Sequence, residues 1–177
     1  MNRLFRNSQE ALIFAFNFSS AQYGISEMAR LAGPMASSGK GLVGVDGAGQ
    51  AGMIMKKVDD LDRYHRACII ARYSQRFEEC RCCRNASMPL QQYRESISTL
   101  ADWSVQFITG LSLRQMREVI IRSFYEQGVS FKTEADKLNV PKSTAYDQRS
   151  MIIAGLKKID STAQAEIFAK LDDMCLE

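Results

Sequence analysis

Several things that would have classified this chain quickly are scarce or missing. It carries one histidine, His65, and one tryptophan, Trp103, in 177 residues. No Ser/His/Asp set and no paired carboxylates can be read from it, so enzymatic activity is not expected. No apolar run approaches the roughly 20 residues of a membrane span, which excludes a membrane partner from the expectation. The stretch Ala11–Phe16 after Arg3 and Arg6 is too short for an export signal, with Glu10 at its edge and Asn17 directly behind it. A cytoplasmic protein is therefore expected. Five cysteines, an odd number, do not make a complete disulfide set. No run alternates as a strand would, whereas every strong periodic segment has a spacing near 3.6, so the expected fold class is all-α.

The charge is also spread thinly. The net charge is +3, and residues 111–177 hold ten Lys/Arg against ten Asp/Glu. The excess lies in residues 1–110, which hold thirteen against ten. Phosphate neutralisation supplies most non-specific DNA affinity, so a neutral module is a weak binder by itself. A partner that already holds it against DNA removes the difficulty by raising effective concentration. At 46% apolar and 24% charged residues, the composition is that of an ordinary soluble chain able to bury a core.

What is present is concentrated between Leu111 and Ile159. Ser112-Leu-Arg-Gln115 has the spacing of a capping box and predicts a helix start. Leu113, Met116, Ile120 and Phe124 follow on one face, and Gly128 predicts the helix end. A short second helix is predicted from about Phe131 to Leu138, with the small Ala135 at its close approach. Asn139 stands in the tight turn as a residue tolerant of positive φ, and Val140 is its apolar plug. Pro141 opens a third helix, where a missing N–H costs nothing. Lys142, Ser143, Thr144, Tyr146, Asp147 and Arg149 then fall on or near its leading face, the part of a helix-turn-helix that enters the major groove.

These residues carry a resemblance. Leu111–Gln115, Arg117-Glu-Val119, Gly128–Phe131 and Ala135 through Asn139-Val-Pro141 look like region four of bacterial sigma factors. In that family the domain reads the −35 promoter element while resting on RNA polymerase. Glu134 departs from the pattern, which places an aliphatic residue there, so a rotated or loosely packed middle helix is expected. Nothing upstream resembles the sigma domain that melts promoters. The layout, one such module plus a glycine-rich and arginine-bearing region, is similar to the late-gene antiterminator (Q-type) family of lambda-like phages. The resemblance implies double-stranded DNA, RNA polymerase and nascent RNA as partners, in the cytoplasm of a bacterial host cell. It implies read-through of terminators as the function.

Outside the module, Asn7 or Ser8 caps a first helix whose Leu12, Ile13, Phe14, Phe16 and Phe18 leave little polar face. A short helix is predicted over Ser26–Leu31. Seven of eleven glycines fall in residues 33–52, which predicts a mobile loop. Gly33–Gly41 imitates a phosphate-binding loop but is one residue too long, and Gly41 stands where a magnesium-holding hydroxyl belongs. Asp60 is placed to cap a longer helix, and Arg63, Arg66, Arg72 and Arg76 begin the strongest basic concentration in the chain. With Lys40 they are the candidate contacts to polymerase or RNA. Cys80-Arg-Cys82-Cys83 is the one candidate metal site, for a structural zinc, with Cys68 as a further ligand. A long helix is expected from Leu90 to Thr109, and Ser161-x-x-Gln164 predicts the start of a separate last helix.

The expected organisation is thus an N-terminal helical effector region, residues 1–110, with the glycine-rich loop (33–52) and cysteine knuckle (80–83). A helix-turn-helix domain, residues 111–177, follows. Two rivals accompany the antiterminator: a plain helix-turn-helix activator or repressor acting at initiation, and a zinc-stabilised protein whose helices contact another protein.

Overall fold

The computed structural model describes residues 4–23, 45–79, 87–108 and 112–175. It is an all-α helical bundle with one small hairpin. In chain order the elements are α1 (Ser8–Tyr23), α2 (Val45–Asp59), α3 (Arg63–Tyr73), β1 (Phe77–Glu79), β2 (Ser87–Pro89) and α4 (Gln91–Trp103). A 3-10 turn (Ser104–Phe107) precedes α5 (Arg114–Tyr125), α6 (Phe131–Lys137) and α7 (Lys142–Cys175). Among the described residues no helix is long and apolar enough to cross a membrane.

The helices form two compact units. The first comprises residues 1–61, 73–75 and 165–177, the second residues 62–72 and 76–164. The expected boundary at 110/111 therefore does not separate compact bodies. Helix α4, expected to stand apart from the module, lies in the same unit and packs on α5.

In the first unit, α1 packs on α2. Asn7 caps α1: its side chain accepts from the Glu10 amide at 2.8 Å, and Glu10 reaches back to the Arg6 amide at 2.7 Å. Ala11, Leu12, Ala15 and Phe16 are buried, whereas Ile13 remains 44% exposed, so one face of α1 is core and the other is not. In α2 the buried residues are Gly47, Ala51, Ile54 and Val58, spaced four, three and four apart. That stripe makes residues 45–52 helical despite three glycines, each of which costs about 1 kcal/mol against alanine. The loop predicted over 33–52 is corrected to that extent. Residues 33–44, with Lys40, and the predicted helix Ser26–Leu31 lie outside the described residues. From residue 165 the last turns of α7 complete this unit: Ile167 and Leu171 are buried, and Asp172 accepts a 2.7 Å hydrogen bond from Ser8.

In the second unit, Asp62 rather than Asp60 caps α3, accepting from the Tyr64 amide at 3.0 Å. Residues Ala67 to Ala71 are all buried. The hairpin was not expected. Its strands are three residues each, paired antiparallel with Glu78 opposite Met88, and so short that no alternation could announce them. Helix α4 buries Tyr93, Ser96, Ile97, Leu100 and Ala101, then tightens to the 3-10 turn at Ser104 instead of running on to Thr109.

Two capping boxes read from the sequence do not form. The residue before α5 is Leu113, with no side-chain cap, and Ser112 instead donates to the buried Gln148 side chain at 3.3 Å. At Ser161 there is no helix start at all: α7 runs 34 residues without a break. No glycine or proline interrupts it near that point, so the Ser161 and Thr162 hydroxyls bond back to the Lys158 carbonyl at 2.9 and 3.0 Å. Gln164 donates to the Asp160 carboxylate at 2.7 Å.

Candidate nucleic-acid interface

Helices α5, α6 and the start of α7 follow one another through two tight turns. Gly128 takes φ +88°, a conformation in which any side chain would be strained, and lets the chain leave α5. Ser130 caps α6, its hydroxyl oxygen accepting from the Thr133 amide at 3.4 Å. Asn139 takes φ +53°, so the tolerance that marked it as a turn residue is used. The Val140 amide donates back to the Ala135 carbonyl at 3.1 Å, closing the end of α6. Helix α7 then begins: the Pro141 carbonyl accepts from the Ala145 amide at 2.9 Å.

Helix α6 is held by Phe131 and Ala135, both buried and one turn apart. Glu134 lies off that face, half-buried, and pairs with Lys137 at 2.7 Å. The departure from the aliphatic pattern is thus accommodated by an ion pair on the α6 surface, without loss of the packed face.

The start of α7 is oriented by what it buries. Ala145 and Gln148 are inside, with Ile152 following at helical spacing. Lys142, Ser143, Thr144, Tyr146, Asp147 and Arg149 are all exposed. From Lys142 to Arg149 the helix rises about 10 Å, comparable to the width of a major groove of about 12 Å. The first turn has no acidic residue, so the positive end of the helix dipole is uncompensated there.

Two of the six are braced. The Tyr146 ring stands edge-on to Phe131 at 5.1 Å, and the Arg149 guanidinium lies 5.3 Å from the same ring. Phe131 thereby gathers an aromatic donor and a cation at one place, a role its position at the start of α6 did not reveal. Ser150 was also missed; it is exposed four residues after Tyr146, and the helical repeat would have found it.

The arginine stretch divides. Arg63 is exposed, its guanidinium 5.7 Å from the Tyr64 ring, and Arg66 is exposed on the same helix. Arg72 is committed to Asp160, whose side chain is buried, with its Nε 3.2 Å from Oδ1. Asp160 also accepts from the Tyr125 hydroxyl at 3.2 Å. Arg76 donates to the Tyr125 carbonyl near the end of α5. Two of the four arginines thus hold the unit together.

Cys68 belongs to the same buried cluster, hydrogen-bonded with Tyr125. Burial above all pushes its thiol up to about 12, so it is protonated at neutral pH in this buried cluster. Burial first, and then Cys68 and Asp160, hold the Tyr125 phenol well above its ordinary value. Cys80, Cys82 and Cys83 lie outside the described residues. Among the described residues no three His, Cys, Asp or Glu side chains gather as a metal site would need.

A second polar cluster joins α4 to α5. Tyr93 donates to Glu126, which also receives Arg122 at 3.1 and 3.2 Å. Burial opposes the charge on Glu126, but the bonds from Arg122 and Tyr93 outweigh it and hold the carboxyl below its usual range.

Family models, curated proteins and solved structures offer no match to this chain.

Proposed function

We propose that this chain is a transcription antitermination factor acting in the cytoplasm of a bacterial host cell. In this proposal α5, α6 and the start of α7 are a helix-turn-helix that binds promoter-proximal double-stranded DNA. RNA polymerase is the second partner, and read-through of terminators is the outcome. The observation that carries the DNA part is the exposure of Lys142, Ser143, Thr144, Tyr146, Asp147 and Arg149 at the head of α7 while Ala145 and Gln148 turn inward. Lys142, Ser143 and Thr144 are placed for phosphate and nearby base edges. Tyr146 and Arg149, braced on Phe131, reach the groove at one point, and Asp147 accepts from a cytosine amine or stays off the bases. The antitermination part rests on the resemblance of residues 111–159 and on the neutral charge of 111–177, which favours a polymerase-held factor over an autonomous binder. Polymerase or nascent RNA is met, within the arginine stretch, by Arg63 and Arg66.

The test is transcription in vitro past a terminator, with and without the protein, on templates with and without the upstream duplex site. Read-through that needs both protein and site supports the proposal. Duplex binding with an effect only at initiation replaces it with a plain activator or repressor. No duplex preference at all removes the DNA part.

A further inference from the structure

The second unit has a cleft that the DNA proposal does not use. About 480 Å³ in volume, it opens beside the middle of α7, and its lining includes His65, Trp103, Phe107, Met151, Gly155 and Lys158. That volume falls within the range of small-molecule sites, roughly 300–1,000 Å³.

Its chemistry is specific in three respects. Trp103 and Phe107 are half-exposed, edge to face at 4.7 Å, and with Met151 they offer polarisable apolar surface to a flat ring. No acidic residue lines it. Lys158 does, exposed and with no ion-pair partner among the described residues, so the lining carries a positive charge. Its shape depends on Gly155: a methyl group there would come within 2.8 Å of the Phe107 ring, so glycine is what lets that ring lie against α7.

We propose that this cleft binds a small aromatic anion, its ring against Trp103, Phe107 and Met151 and its carboxylate or similar group toward the Lys158 ammonium. The proposal does not rest on DNA binding: the head of α7 and the cleft use different residues, and either stands if the other fails.

Trp103 is the chain's one tryptophan and lines the cleft, so its indole N–H resonance is assigned without ambiguity. The full-length protein is titrated with 1-naphthoate, 1-naphthalenemethanol and 1-naphthylmethylammonium. The expected result is a saturable shift with naphthoate in the millimolar range or below, and at least about tenfold weaker binding of the cation. Lys158→Glu, an exposed change that leaves the fold intact, should reverse that order. Gly155→Ala should displace Phe107 and weaken all three probes. No saturable shift, equal affinity for the three probes, or an anion preference unchanged in Lys158→Glu would overturn the proposal. So would an acidic phenylalanine-containing peptide binding about tenfold tighter than naphthoate, which would assign the cleft to a protein partner.

Discussion

Tyr146, Asp147 and Arg149 at the head of α7, and Tyr125, Asp160 and Arg72 in the buried cluster of the same unit, are the same three side-chain types in opposite settings. The first three are exposed at the head of α7, and the ring of Phe131 braces the tyrosine and the arginine. In the second set the Asp160 carboxylate is 5% exposed and receives the phenol and the guanidinium together. Removing water decides what each set does. A buried carboxylate needs every partner it has, because an unpaired one carries the full desolvation penalty. An exposed carboxylate is already satisfied by water, and its side chain is available to something else.

The comparison breaks most clearly under paired alanine substitutions. Asp160→Ala should cost about 3–5 kcal/mol, because Arg72 and Tyr125 lose their shared acceptor, and Asp147→Ala should stay within about 0.5 kcal/mol. Equal shifts of the two urea midpoints would contradict the assignment. Next in size is the effect on DNA. Lys142→Ala and Arg149→Ala should each weaken duplex binding by about 1–3 kcal/mol, read by footprinting at fixed salt. Unchanged affinity in both would remove this face from the proposal.

Glu126 sharpens the contrast from the acid side. Its native carboxyl lies below the usual value of 4.5, so it contributes stability that is present above that value. The contribution should be lost as the pH falls below about 4.5 and through the native value, and Glu126→Gln should remove this part of the pH dependence. Denaturation midpoints measured from neutral to acid pH in both proteins check it. A smaller loss, about 1 kcal/mol, is expected for Gly128→Ala at its positive φ. A loss no larger than that of Gly128→Ala is expected for Ser112→Ala. If Ser112 bonds only Gln148, the loss is at most about 1 kcal/mol, with no change in the helicity of an isolated α5 peptide.

Local signals were legible where one residue type has one physical use. Gly128 and Asn139 announced their turns because left-handed backbone excludes most other residues. The apolar spacings announced α4, α5 and α6, and the six polar residues heading α7 could be named because Pro141 marked where that helix begins. Signals with two uses misled. The S-x-x-Q patterns at Ser112 and Ser161 match a capping box, yet a serine hydroxyl serves equally well in a tertiary bond or folded back onto its own helix. The glycines of residues 45–52 suggested a loop, and packing made them part of α2. The hairpin strands were too short to carry a period.

By itself the sequence determined the all-α class, the turns at Gly128 and Asn139 and the three helices they separate, because backbone sterics and apolar periodicity act over a few residues at a time. Only the tertiary structure decided which arginines are structural, that α4 packs on the module following it, and that Phe131 braces Tyr146 and Arg149. Those outcomes depend on which distant side chain displaces water from a given group. That is a property of packing, and no local pattern encodes it.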